Sequence, residues 1–90
     1  MNKAQLVEAI AEATQQTKTS VENTLNVAFD LIKASVKKDE DVTLVGFGTF
    51  TKSKRQARSG RNPQTGMEIK IPEMIVPRFR PGKEFKDLLK

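Results

Sequence analysis

Along the first forty residues the apolar positions recur at helical spacing. Leu6, Val7, Ile10 and Ala13 share one face, with polar residues between them. Asn2 stands three residues before Gln5, the spacing of a capping box in which each side chain meets the other residue's backbone N–H. Thr14-Gln15-Gln16-Thr17 breaks the pattern. Thr17 or Thr19 can then cap a second helix, and Thr19 has Glu22 at the box position. Val21, Leu25, Ala28, Phe29, Ile32 and Val36 line one face of that helix, and Val27 and Leu31 widen the stripe. So wide a stripe on one helix predicts contact with more than one partner element. Lys37-Lys38 close the helix where cations complement its dipole.

After residue 40 the period changes. Val42-Thr43-Leu44-Val45 reads as a short strand, and Gly46-Phe47-Gly48 punctuates it. Thr49 to Ala57 is β-branched at first and then basic. A strand from Thr51 to Asn62 would reach ~40 Å at ~3.3 Å per residue. Asn62-Pro63-Gln64-Thr65-Gly66 is a turn, in which proline presets φ and glycine supplies a positive one. Met67, Ile69 and Ile71 alternate with Glu68 and Lys70, a strand period. Pro72 and Pro77 interrupt the return strand, which suits a ribbon with open edges. Arg78-Phe79-Arg80 resumes it, Pro81-Gly82 ends it, and Lys83 to Leu89 forms a short amphipathic helix with Phe85, Leu88 and Leu89 on one side. The fold class expected is α+β, in a single domain over residues 1–90. Residues 1–50 and 77–90 form the body, and residues 51–76 form a β-ribbon arm.

Charge divides along the same line. Residues 1–40 carry a net −1 and residues 41–90 a net +6, and no acidic residue lies between Asp41 and Glu68. Lys52, Lys54, Arg55, Arg58 and Arg61 fall in that gap. A one-signed stretch of this kind is a field for anions, and nucleic-acid phosphates are its commonest partner. The alternative is a solvated basic loop.

Composition narrows the chemistry. The chain has no Cys, His, Trp or Tyr. Disulfides, Cys/His metal sites and Ser-His or Cys-His catalytic pairs are therefore excluded, and no phosphate-cradling glycine loop appears. No enzyme, metal or cofactor is expected. Met1 to Ala13 has no long apolar run, so no signal peptide is expected, and no segment approaches a membrane span. An ordinary cytoplasmic protein is the expectation.

Without the arm, roughly 64 residues remain to build a core, which is marginal unless something else stabilises it. Disulfides and metal being excluded, the wide face of the second helix argues for an obligate dimer. The aromatic residues are all Phe: Phe29, Phe47, Phe50, Phe79 and Phe85. Phe47, Phe50 and Phe79 could stack on single-stranded bases. The core reading is preferred, because the chain has no other large residues to fill a core.

Two long basic ribbons, one per subunit, could embrace a duplex, their cations meeting phosphates without reading sequence. Pro63 would stand at the outermost point as a rigid apolar ring, the kind of wedge that architectural proteins insert between base steps. Plain turn chemistry explains a proline there equally well in an isolated hairpin. Nothing in these residues chooses the groove, since a ribbon also fits the major one.

Three segments carry a resemblance: Gly46-Phe47-Gly48-Thr49-Phe50, Gly60-Arg61-Asn62-Pro63-Gln64-Thr65-Gly66 and Phe79-Arg80-Pro81-Gly82-Lys83. Through them the chain resembles the HU/IHF family of bacterial nucleoid proteins over its full length, the middle segment being the most specific. The resemblance implies an intertwined dimer. Each chain would give two N-terminal helices to a helical base, a three-stranded antiparallel sheet extended into a two-stranded β-ribbon arm, and a short C-terminal helix. Leu25, Phe29, Ile32, Phe47, Phe50 and Phe79 would form the dimer core.

It also implies minor-groove binding with Pro63 as the wedge. Arg55, Arg58, Arg61 and Asn62 match arm positions that line the groove, and Lys52, Lys54, Gln64 and Lys70 belong to the same DNA-binding set. Lys3, Lys18, Arg80, Lys83 and Lys86 match body positions that meet flanking phosphates. The uninterrupted tip and arm look like the HU branch, which binds double-stranded DNA with little sequence preference, favours bent, nicked or gapped DNA, and compacts the nucleoid. Met67 stands where a polar residue would be expected. A site-specific IHF-like bending cofactor is the alternative, with a basic RNA-binding protein behind it. Homodimers are expected, and pairing with a paralogue is the other possibility.

Overall fold

In a computed structural model, which describes residues 1–90, the chain forms α1 (Lys3–Thr14), α2 (Lys18–Lys37), β1 (Val42–Leu44), β2 (Gly48–Arg55), β3 (Arg58–Arg61), β4 (Glu68–Ile71), β5 (Met74–Pro81) and α3 (Lys83–Leu88). It divides into two compact units, Met1–Ala34 and Ser35–Lys90. The boundaries expected at residues 51 and 76 both lie inside the second unit.

The first unit is a helical hairpin. The Asn2 side chain accepts from the Gln5 backbone N–H at 2.9 Å, and the Asn2 N–H donates to Gln5 Oε1 at 2.9 Å, so the capping box forms. A cap of this kind contributes about 1 kcal/mol. α1 ends at Gln15, whose φ of 55° is left-handed. Of the two possible caps for α2 it is Thr17 that acts, its Oγ1 accepting from the Ser20 N–H at 3.2 Å. Thr19 lies one residue inside the helix, so the expected Thr19–Glu22 box does not form. Val7, Ala11 and Val21 are buried, with Ile10 and Leu25 packed against them. They are the only buried hydrophobic residues in the chain. Val27 and Leu31, which widen the α2 stripe, are 58% and 63% exposed.

The second unit holds two antiparallel sheets, one ordered β1-β2-β5 and the other β3-β4. In the larger sheet Val42 faces Phe50, Phe50 faces Phe79 and Thr51 faces Arg78. β5 is an edge, which is how Pro77 sits within it opposite Lys52 without a missing N–H disrupting a further neighbour. Phe47, Phe50, Phe79 and Phe85 gather on one face. The centroids of Phe50 and Phe79 are 4.9 Å apart, and Phe47 stacks on Phe85 at 5.5 Å. The cluster supports the core reading of these rings, although Phe47 remains 44% exposed.

Two segments of the resemblance meet here. The Gly82 N–H donates to the Phe47 carbonyl at 2.8 Å, so the Gly46-Phe47-Gly48 turn is tied to the start of α3. α3 ends at Leu88, one residue short of the expected helix, and its apolar side is less covered than the sequence suggests. Phe85 is half-buried, while Leu88 and Leu89 are about four-fifths exposed, because the helix is too short to reach further apolar cover in its own chain.

The long strand expected from Thr51 to Asn62 is interrupted. β2 ends at Arg55 and β3 begins at Arg58. Opposite Gln56-Ala57 lie Pro72 and Glu73, and a proline cannot donate to the ladder. Two residues are skipped on each side: Arg55 faces Met74 and Arg58 faces Ile71. The register therefore passes through the break without a slip, and the ribbon proper is β3-β4 with its turn. A depression lined by Ala57, Arg58, Ser59, Lys70, Ile71 and Pro72 marks the place.

Candidate nucleic-acid interface

Strand alternation sorts the cations by face. On the larger sheet, Thr43, Thr49, Thr51, Ser53 and Arg55 share one side with Arg78 and Arg80 of β5. Hydroxyl contacts knit that side: Thr49 Oγ1 donates to Thr43 Oγ1 at 3.3 Å, and Thr51 Oγ1 donates to Asp41 Oδ1 at 2.6 Å. The result is a largely polar face with arginines at its margins and Val76 and Met74 among them, the reverse of the phenylalanine face.

Lys52 and Lys54 stand on the other side, in register with Phe50. Their charges already have partners. Lys52 Nζ is 2.7 Å from Asp39 Oδ1 and donates to the Lys37 carbonyl at 3.2 Å, and Lys54 Nζ is 2.9 Å from Glu73 Oε1. The Lys54 pair is exposed on both sides and worth about 0–1 kcal/mol, whereas the Lys52 side chain is half-buried. Arg55, Arg58, Arg61, Lys70, Arg78 and Arg80 form no such pair and are exposed.

Arg78 is absent from the set expected from sequence. The signal was legible: in Arg78-Phe79-Arg80 the two arginines must point the same way, opposite to an apolar ring.

The ribbon presents charge on both faces. Arg58 and Gly60 lie with Ile69 and Ile71, while Ser59 and Arg61 lie with Lys70 and Glu68. Arg58 and Arg61 therefore do not form one row, as an arm read as a single basic edge would suggest.

The tip closes through its own backbone. The Asn62 N–H donates to the Met67 carbonyl at 2.8 Å, and the Gly66 N–H to the Asn62 carbonyl at 2.7 Å. Asn62 Oδ1 accepts from the Gln64 N–H at 2.9 Å, so this side chain bridges over Pro63 through its oxygen. Gly66 has φ +70° with open space around it, as a turn needs here. Pro63 and Gln64 are exposed at the outermost bend.

The remaining expected cations are spread over both units. Lys3 opens α1 and donates to Asn26 Oδ1, and Lys18 opens α2. Lys83 and Lys86 lie on α3, exposed. Of the expected dimer-core residues, Leu25 is half-buried against the small core of its own unit, Ile32 is half-buried, and Phe29 is 37% exposed. No group of His, Cys, Asp and Glu residues is arranged to hold a metal ion.

Comparison with known proteins agrees along the whole chain. The bacterial DNA-binding protein family matches residues 1–90. DNA-binding protein HU of Haemophilus influenzae is 49% identical over 90 residues, covering 100% of both chains. DNA-binding protein HRL53 of Rhizobium leguminosarum is 47% identical over 87 residues, covering 97% of this chain and 96% of its own. Among solved structures, Anabaena HU cocrystallised with DNA superposes with a TM-score of 0.89 at 43% identity, over 99% of this chain and 97% of the other.

Proposed function

The chain belongs to the bacterial DNA-binding protein family, and from that premise we propose that it binds double-stranded DNA with little sequence preference, bends it, and serves as an architectural protein of the nucleoid. It is a structural DNA-binding protein and not an enzyme. No helix is long and apolar enough to cross a membrane. Its place of action in this reading is the DNA of the bacterial cytoplasm.

The observation that carries the reading is the arm: a two-stranded ribbon with unpaired cations on both faces and an exposed proline at its tip. Paired strands lie ~4.8 Å apart before side chains are added, whereas the B-form minor groove is only ~6 Å wide. The ribbon fits that groove only once it has been opened, and bending away from it opens it. Pro63 wedged between base steps supplies the kink. Arg58 and Arg61, on opposite faces, then reach the phosphates of the two strands that wall the groove. Gln64, the Asn62 amide and Lys70 extend those contacts around the tip.

Bending a 20–30 bp site by 40–90° costs about 1–6 kcal/mol. Contacts that only bent DNA can reach offset it, and these belong to Arg55, Arg78 and Arg80 on the sheet and to Lys3, Lys18, Lys83 and Lys86 beyond the arm. Lys52 and Lys54 contribute less, because phosphate must displace Asp39 and Glu73.

The binding unit in this reading is a homodimer. Three buried hydrophobic residues cannot stabilise a 90-residue chain, and Phe29, Val27, Leu31, Leu44, Val45 and Phe47 await cover. A second copy would supply it and bring a second arm.

A competition titration tests the proposal, with an intact random-sequence duplex set against the same duplex carrying one nick. A nick lowers the bending cost, so the nicked duplex is expected to win by about tenfold. Equal affinity would mean that the arms bind straight DNA by charge alone.

A further inference from the structure

Met67 is not used by this account, although its position is specific. Its carbonyl accepts from the Asn62 N–H at 2.8 Å, and its own N–H donates to Thr65 Oγ1 at 3.3 Å. Those bonds pin it directly across the ribbon from Asn62, the residue before Pro63. Met67 is 68% exposed, so the chain leaves most of it without cover. The rest of the tip, Asn62, Gln64, Thr65 and Gly66, is polar or bare. Pro63 and Met67 are thus the two apolar side chains at the end of the arm. A thioether on an unbranched stem adapts to irregular apolar gaps, such as the one beside a partly unstacked base step.

Composition adds a second fact. With no Cys, His, Trp or Tyr, the side chains most open to two-electron oxidation are Met1, Met67 and Met74. Met74 is exposed too, but it faces Arg55 at the opposite end of the arm from the tip.

We propose that Met67 is the second apolar element of the arm tip, beside Pro63, and that its thioether makes DNA bending sensitive to peroxide-class oxidants. The proposal rests on the DNA-bending reading above. In the chemical step the Met67 sulfur attacks one oxygen of hydrogen peroxide and an S–O bond forms as the O–O bond breaks; the other oxygen leaves as hydroxide, takes the proton from the sulfur-bound oxygen, and departs as water. Sulfur is oxidised by two electrons and peroxide is reduced by two. The sulfoxide oxygen is a strong acceptor, and the minor-groove floor at A·T pairs is itself lined with acceptors. A contact that was dry and apolar becomes one between like dipoles.

The test uses the full-length protein on a nicked duplex with FRET labels at its ends, before and after hydrogen peroxide, with each protein's untreated sample as its reference. Mass spectrometry follows the added oxygen at each methionine. For the parent, sulfoxide at Met67 is expected to weaken binding about fivefold and to reduce the bend. Met74→Leu is expected to lose as much on treatment as the parent, and Met67→Leu to lose nothing. Met67→Gln, untreated, is expected to resemble the oxidised parent.

The proposal is overturned if Met67 resists conditions that oxidise free methionine, or if its sulfoxide leaves bending unchanged. It is equally overturned if Met67→Leu is as peroxide-sensitive as the parent. Failure of the untreated parent to bind or bend the nicked duplex would instead overturn the DNA-bending reading itself, and is seen before any peroxide is added.

Discussion

A Cβ placed on Gly48 would stand 2.5 Å from Phe79 Cζ and 2.6 Å from the Arg80 carbonyl oxygen. The first residue of β2 lies so close to β5 that only glycine lets the Phe79 ring fold across it toward Phe47 and Phe50. Gly48→Ala is expected to destabilise the protein by about 3 kcal/mol, read as a lower urea midpoint, because the backbone carbonyl cannot move aside as a side-chain end can. At the tip the logic is reversed, since Pro63 has nothing above it. Pro63→Ala is expected to leave the fold and most of the phosphate affinity intact while reducing the FRET-measured bend. Identical bends for the two proteins would remove the wedge role. The asymmetry follows from what surrounds each position: Gly48 lies where β2 and β5 pack closely, whereas Pro63 is exposed and, in the proposed function, meets only DNA.

At the scale of elements, the arm is a continuous register broken by chemistry. The pairing of Arg55 with Met74 and of Arg58 with Ile71 keeps alternation in step across the Pro72 interruption. Net charge along the arm was legible in the sequence, but the state of each charge was not. Lys54 and Arg58 look equivalent as letters, yet Lys54 is held by Glu73 and Arg58 has no carboxylate partner. Arg58→Ala is therefore expected to weaken binding similarly on all sequences and to make the salt slope shallower by about 1, the signature of one lost phosphate contact. Lys54→Ala is expected to change that slope by clearly less, because Lys54 is already held by Glu73 and contributes little phosphate contact. Titrations across salt concentration separate the two variants, and a sequence-selective loss for Arg58→Ala would contradict its assignment. Glu73 lies five residues beyond Glu68, outside the acid-free stretch, and only the return of β5 alongside β2 brings it to Lys54.

For the whole molecule, the shortage of buried residues is the governing fact. Val7, Ala11 and Val21 are buried, while phenylalanines and branched aliphatics in both units remain open. Folding is then coupled to association, and the melting temperature should rise with protein concentration. With an unfolding enthalpy of about 0.7 kcal/mol per residue for each of two chains, a hundredfold dilution should lower it by about 8 °C. Circular dichroism melts across that range check it, and a concentration-independent transition would count against the obligate dimer. Nicked DNA, by binding only the folded form, should raise the transition further.

The sequence by itself determined the order and type of the elements, the turn at Asn62–Gly66, the cap at Asn2 and the charge division at residue 41. These follow from local rules: periodicity, capping, the backbone limits of proline and glycine, and the count of acids and bases. Local rules could not show where Pro72 would break the long strand, because the break depends on which residues lie across from it. Nor could they show that Leu88 and Leu89 would find no cover, or that Lys52 and Lys54 would turn to the carboxylates of Asp39 and Glu73. Each of those outcomes is set by neighbours distant in sequence. The tertiary structure alone decided which of the arm's cations remain free for phosphate, because the carboxylates that hold Lys52 and Lys54 come from segments distant in sequence.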